Sequence, residues 1–160
     1  MKKIVTLLLT AALAVTAATT AFADTEITAS SPTPAKGNMD VTYTVNPKYT
    51  VTIPGLVTLN TAAPSTATVT ATDVTIPNGQ KVRVTLNSKN NFYVITNEGA
   101  RGTYTVKKDN STTPISNGAT VLEANYGTKS TVLTFEFQKK NVTYSGEYKD
   151  TVTFTVSVGN

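Results

Sequence analysis

The sequence predicts an all-β domain, an immunoglobulin-like antiparallel β-sandwich with a closed β-barrel as the alternative, and three observations carry that prediction. The first is the run Asp150-Thr151-Val152-Thr153-Phe154-Thr155-Val156-Ser157-Val158, where apolar and hydroxyl side chains alternate without a break. Successive strand residues point to opposite faces, so Val152, Phe154, Val156 and Val158 are expected to face a core while the hydroxyls meet water. The second is recurrence: Val41/Tyr43/Val45, Tyr49/Val51/Ile53, Val82/Val84/Leu86 and Leu133/Phe135/Phe137 share that period of two. The third is a negative one. No stretch of helical length carries apolar residues at three- and four-residue spacing.

The amino terminus has the pattern of an export signal. Lys2 and Lys3 precede an uncharged apolar run from Ile4 to about Ala18, and Ala21-Phe22-Ala23 supplies a small-x-small cleavage site, so residues 1–23 read as a leader removed before Asp24. Residues 24–39 follow as an arm or edge strand with Pro32, Pro34 and Gly37, and Glu26-Ile27-Thr28 is its one β-prone piece. Residues 40–160 are then a single domain, large enough to bury a core without covalent staples.

Within that domain each element is read from its pattern. Val41 to Val45 and Tyr49 to Ile53 flank Asn46-Pro47-Lys48, and Pro47 interrupts pairing because it has no amide hydrogen, so they form two strands or one bent strand. Tyr43 and Tyr49, in phase with apolar neighbours, are expected in the core. Leu56 to Leu59 reads as a short strand and Thr66 to Thr72 as a longer one with small inward residues. Pro77-Asn78-Gly79 reverses the chain into Lys81 to Leu86. Phe92 to Thr96, apolar on both faces, is expected in a central, doubly covered position. Thr103 to Lys107 and Thr120 to Glu123 alternate again, Asn125 to Lys129 reads as a turn, and Thr131 to Phe137 and Thr151 to Val158 are the strongest strands.

Composition narrows the chemistry. The chain has no His and no Cys, so the commonest neutral-pH proton carrier, the commonest metal ligand and any disulfide are all missing. Removing Lys2 and Lys3 with the leader halves the formal net charge of +4, too weak a bias to argue for nucleic acid or an anionic membrane. The ten acidic residues form no Asp-x-Asp-x-Asp loop, and no glycine-rich phosphate cradle occurs. Ser and Thr are plentiful but have no histidine to activate them. The expectation is therefore no catalytic residue, no cofactor, no metal, and no membrane insertion once the leader is gone. Among the tyrosines, Tyr93, Tyr104 and Tyr126 are candidates for an aromatic platform that stacks on sugar rings, whereas Tyr144 and Tyr148 flank a corner where a phenol hydroxyl can tie a loop to backbone.

The segments Tyr49-Thr50-Val51-Thr52-Ile53-Pro54 and Tyr144 to Phe154 resemble those of small exported surface proteins of Gram-positive bacteria. The second is also similar to the last strand of spore-coat U and fimbrial-type subunits, in which a Gly-x-Tyr-x-Asp corner leads into an alternating strand. That resemblance implies a disulfide and polymerisation by strand donation; the first has no counterpart in a chain without Cys. The functional expectation is a noncatalytic extracellular or cell-surface structural protein, adhesin-like or fibre-forming, with Glu26, Ile27 and Thr28 as the strand-donor arm. A carbohydrate-binding module and an exported hydrolase are the alternatives. Partners are expected among other surface subunits or glycans, and the protein is expected to be secreted or held noncovalently at the cell surface.

Overall fold

The computed structural model describes residues 7–10, 34, 37, 39–138 and 142–160. The proposed cleavage site at Ala21 to Ala23, the arm piece Glu26-Ile27-Thr28 and the pair Lys139-Lys140 lie outside the described residues. Among the described residues there are nine strands and no helix. In chain order they are β1 (Leu7–Thr10), β2 (Lys48–Ile53), β3 (Ser65–Thr75), β4 (Lys81–Ser88), β5 (Tyr93–Ile95), β6 (Arg101–Lys108), β7 (Ala119–Ala124), β8 (Tyr126–Gln138) and β9 (Val152–Gly159). They form two sheets, one in the order β1-β2-β3-β8-β6-β5 and the other in the order β7-β4-β9, and every pairing is antiparallel.

The inward rows make one core. Tyr49 and Val51 of β2, Ala67, Val69 and Ala71 of β3, Leu133 and Phe135 of β8, and Tyr104 and Val106 of β6 come from the larger sheet. Val82, Val84 and Leu86 of β4 face them from the smaller one, with Val121, Leu122 and Ala124 of β7. Two consecutive residues, Val121 and Leu122, are both buried because the β4–β7 register shifts between Val84 and Thr85, and a bulge turns an extra residue inward. Gly102 is required by packing: a Cβ there would lie 2.9 Å from the Phe137 ring.

Outside, the hydroxyl and charged rows pair across strands. Thr70 and Ser130 are register partners, with their hydroxyl oxygens 3.0 Å apart. Arg83 and Glu123 are also register partners, and the Glu123 carboxylate accepts from Arg83 Nε and Lys81 Nζ, each at 2.8 Å. Lys107 Nζ reaches both oxygens of Glu136 at 2.8 Å, so Glu136 faces outward, as its phase opposite Phe135 and Phe137 requires.

Four expectations are corrected. Among the described residues the segment Val41 to Val45 joins no sheet, and Tyr43 is exposed rather than a core residue, although Tyr49 is buried. Leu56 to Leu59 is a connection, not a strand, because Pro54-Gly55 turns the chain out of β2 and no partner edge receives it. Phe92 to Thr96 contributes only the three-residue β5 at a sheet margin, since Asn91 and Phe92 both take left-handed backbone angles (φ 53° and 65°) that end an extended ladder. Asn125 to Lys129 is not a turn. The chain passes from β7 to β8, and so from one sheet to the other, through Asn125 alone, with Gly127 at φ 67° where β8 meets β3. The reversal at Pro77-Asn78-Gly79 is present, closed by Gln80 N–H donating to Pro77 C=O (3.1 Å) with Gly79 at φ 83°.

Leu133 sits fully buried on β8 between β3 and β6, so Leu133→Ala should lower unfolding free energy by about 2–5 kcal/mol through lost burial and a residual cavity; urea denaturation checks this. Hydrogen bonds from Lys81 and then Arg83 hold the Glu123 carboxyl down at about 2, against an ordinary 4.5. A depressed acid stabilises the fold above its unfolded value and loses that contribution as pH falls. The stability difference between the wild type and Glu123→Gln should accordingly be present at neutral pH and disappear between about pH 4.5 and 2.

Candidate functional site

The most organised polar cluster lies at one end of the core, where the last strand changes sheets. Just before β9, Lys149 pairs with Ile95 of β5: Ile95 N–H donates to Lys149 C=O (2.9 Å) and Lys149 N–H donates to Ile95 C=O (3.1 Å). Two residues later the chain is on β4, with Lys89 N–H donating to Thr151 C=O at 2.9 Å. Asp150 is the residue between.

Its carboxylate gathers donors from both sheets. Oδ2 accepts from Ser88 Oγ of β4 and from the Tyr104 hydroxyl of β6, each at 2.6 Å. Oδ1 accepts the backbone N–H groups of Asn90 (3.1 Å) and Thr151 (2.8 Å). Ser88 is buried and fully engaged. Its hydroxyl also accepts Phe92 N–H at 2.6 Å, its own N–H donates to Asn117 Oδ1 at 2.6 Å, and its C=O accepts from Asn117 Nδ2 at 3.0 Å. These bonds hold the left-handed Asn91-Phe92 step in place and set the Phe92 ring edge-on to Tyr104, with centroids 5.6 Å apart. Burial first, and then the bond to Asp150, push the Tyr104 phenol well above its usual range, so it remains a neutral donor.

Beside this cluster is a cleft of about 160 Å³. Leu56, Val57 and Leu59 of the β2–β3 connection form one wall, and Tyr104, Asp150, Val152 and Phe154 form much of the other. That volume accommodates one ring or branched side chain and falls below the roughly 300–1,000 Å³ of typical small-molecule sites. Among the described residues no group of three or more His, Cys, Asp or Glu is placed to hold a metal ion. Among them, too, no helix is long and apolar enough to cross a membrane.

The three candidate tyrosines are not gathered on one surface. Tyr93 lies on β5 at the margin of the larger sheet, 37% exposed, with the Arg101 guanidinium 5.9 Å from its ring centroid. Tyr104 is in the core at 3% exposure, with its hydroxyl on Asp150. Tyr126 is 78% exposed at the start of β8, whereas Phe137, the partner of Tyr104, is near the strand's other end. At about 3.3 Å per residue that separation is on the order of 30 Å. Tyr148 does tie the last corner: its hydroxyl donates to Tyr144 C=O at 2.9 Å.

Sequence reasoning missed Ser88 and Asp150 as partners, although a signal was there. Ser88 continues the inward phase of Val82, Val84 and Leu86, and Asp150 continues that of Val152, Phe154 and Val156. A polar residue on an inward phase requires a partner. Comparisons with known protein families, curated proteins and solved structures return no match for this chain.

Two substitutions test the cluster. Asp150→Asn replaces one acceptor oxygen by a donor that faces Ser88, Tyr104 or Asn90, and Tyr104→Phe removes a bond to a charged group; each should cost about 1–3 kcal/mol in urea unfolding. The double variant should lose less than the sum of the two, because both remove the same bond.

Proposed function

We propose that this chain is a noncatalytic structural protein of the extracellular or cell-surface kind, adhesin-like, built on an immunoglobulin-like sandwich. The observation that carries the reading is the state of Asp150. A catalytic carboxylate needs an oxygen free for substrate, whereas this one receives four protein donors and joins β4 to β6. The adjoining cleft, about 160 Å³, is smaller than the roughly 300–1,000 Å³ of typical small-molecule sites. Rows of outward hydroxyls, as on Thr151, Thr153, Thr155 and Ser157, keep the faces wet without charge and fit a scaffold exposed to the medium. Two separately paired sheets, with β9 at a margin among the described residues, support a sandwich over a closed barrel.

Leader-type residues 1–23 support export. In the structure Leu7–Thr10 lies antiparallel on the margin of β2, from Leu7↔Ile53 to Thr10↔Thr50, so removing the leader would leave that margin without β1.

Fractionation of the producing cells, with amino-terminal sequencing of the recovered protein, tests this. The reading predicts recovery from medium or envelope with Asp24 as the first residue. Recovery from the cytosol with residues 1–23 intact would overturn it, as would glycosidase or esterase turnover abolished by Asp150→Asn.

A further inference from the structure

We propose that the open edge of β9 is a docking site for the Met39–Val45 segment of a second copy of this chain, an inference that rests on the structural-protein reading and names its partner. Among the described residues, β9 pairs with β4 only. Its inward row, Val152, Phe154, Val156 and Val158, is half-buried, whereas the inward residues of the margin strands β5 and β7, Val94 on the first and Val121 and Ala124 on the second, are covered. A half-covered apolar row therefore sets the β9 edge apart from the β5 and β7 edges, while the β2 edge lies under β1 as long as the leader is present.

That edge also lacks the usual protections. Natural open strands are blunted by lysine, proline or a bulge. Val152–Gly159 contains neither residue nor any other charged side chain, and its register with β4 runs unbroken from Ser88↔Val152 to Lys81↔Gly159. Because Thr151 C=O bonds toward β4, ladder alternation turns the backbone groups of Thr153, Thr155 and Ser157 the same way and leaves those of Val152, Phe154, Val156 and Val158 on the free side. Among the described residues, these donors and acceptors have no partner strand, and they lie beside a row of half-covered apolar side chains.

The same chain carries the matching piece. Met39, Val41, Tyr43 and Val45 repeat every second residue, are 83%, 84%, 92% and 57% exposed, and belong to no strand. Asp40, Thr42 and Thr44 alternate with them. Four apolar side chains over seven residues face four over seven, with the Thr42 and Thr44 hydroxyls and the Asp40 carboxylate on the outer side beside the hydroxyls of β9. The cleft at the start of β9, between Leu56 and Phe154, is sized for one side chain of an added strand. In the single chain the segment leaves its apolar row in solvent instead of completing its own β9 edge. If docking covers on the order of 400 Å² on the donor, counting about 150–250 Å² for a tyrosine, and a similar area on the acceptor, reciprocal exchange buries about 1,600 Å², the area of a standard stable interface.

The absence of Cys makes the test direct. Thr44→Cys and Thr155→Cys change exposed hydroxyl positions, and each is expressed from the full sequence so that any processing occurs normally. Mixing the two single variants with a short bismaleimide should give a 44–155 crosslinked dimer, and Tyr43→Asp in the donor should reduce its yield at least tenfold while leaving the unfolding midpoint unchanged. Three results would each overturn the proposal: no mixed dimer at any concentration up to the solubility limit, an intramolecular bridge in the monomeric double variant, or crosslinking to Thr52→Cys on β2 in preference to position 155. Any of these leaves the fractionation result untouched, so failure of the docking site is distinguishable from failure of the structural-protein reading.

Discussion

The fold turns on a single carboxylate held where two sheets meet. Asp150 stands between a backbone pairing to β5 on one side and a backbone pairing to β4 on the other, and its oxygens receive a hydroxyl from each sheet. Two β-sheets stacked through apolar side chains alone can slide, because dispersion and burial are nearly isotropic. Directional bonds at the end of the core remove that freedom. They fix the register of β9 on β4, the strained Asn91-Phe92 step and the rim of the adjoining cleft together.

Placing that anchor at the beginning of β9 has a consequence for the rest of the strand. Its eight residues are held straight against β4, with no bulge to twist the outer margin away and no charge to repel an incoming chain. An apolar row lies half-covered along it while a seven-residue stretch of the same period stands in solvent near the amino-terminal end of the domain. Two such complementary surfaces are costly for a protein that must remain solitary and useful for one that assembles. The polar joint and the β9 edge are thus linked: the bonds at Asp150 hold the strand that carries the half-covered apolar row.

Much of this was legible in the residues, and the exceptions have physical causes. Alternation located β3, β4, β6, β7, β8 and β9, because burial on one face is enough to set a period of two. The same alternation misplaced Val41 to Val45. Period two records which side chains would share a face if a partner strand were present, and says nothing of whether the chain supplies that partner. Phe92 to Thr96 was misjudged because apolar character on both faces does not reveal the left-handed angles at Asn91 and Phe92, which Ser88 and Asp150 impose through the backbone. The site itself was half visible. Ser88 and Asp150 each broke an inward phase, yet only the fold shows that Tyr104, sixteen residues from one and forty-six from the other in sequence, is their common neighbour.

Residue-resolved amide hydrogen exchange on the dilute protein tests the central claim most directly. The account predicts slow exchange at Asn90, Phe92, Thr153, Thr155 and Ser157, whose N–H groups are bonded within the corner or to β4, and fast exchange at Val152, Phe154, Val156 and Val158 on the free side. Uniform protection along β9, or rapid exchange at Asn90 and Phe92, would contradict it.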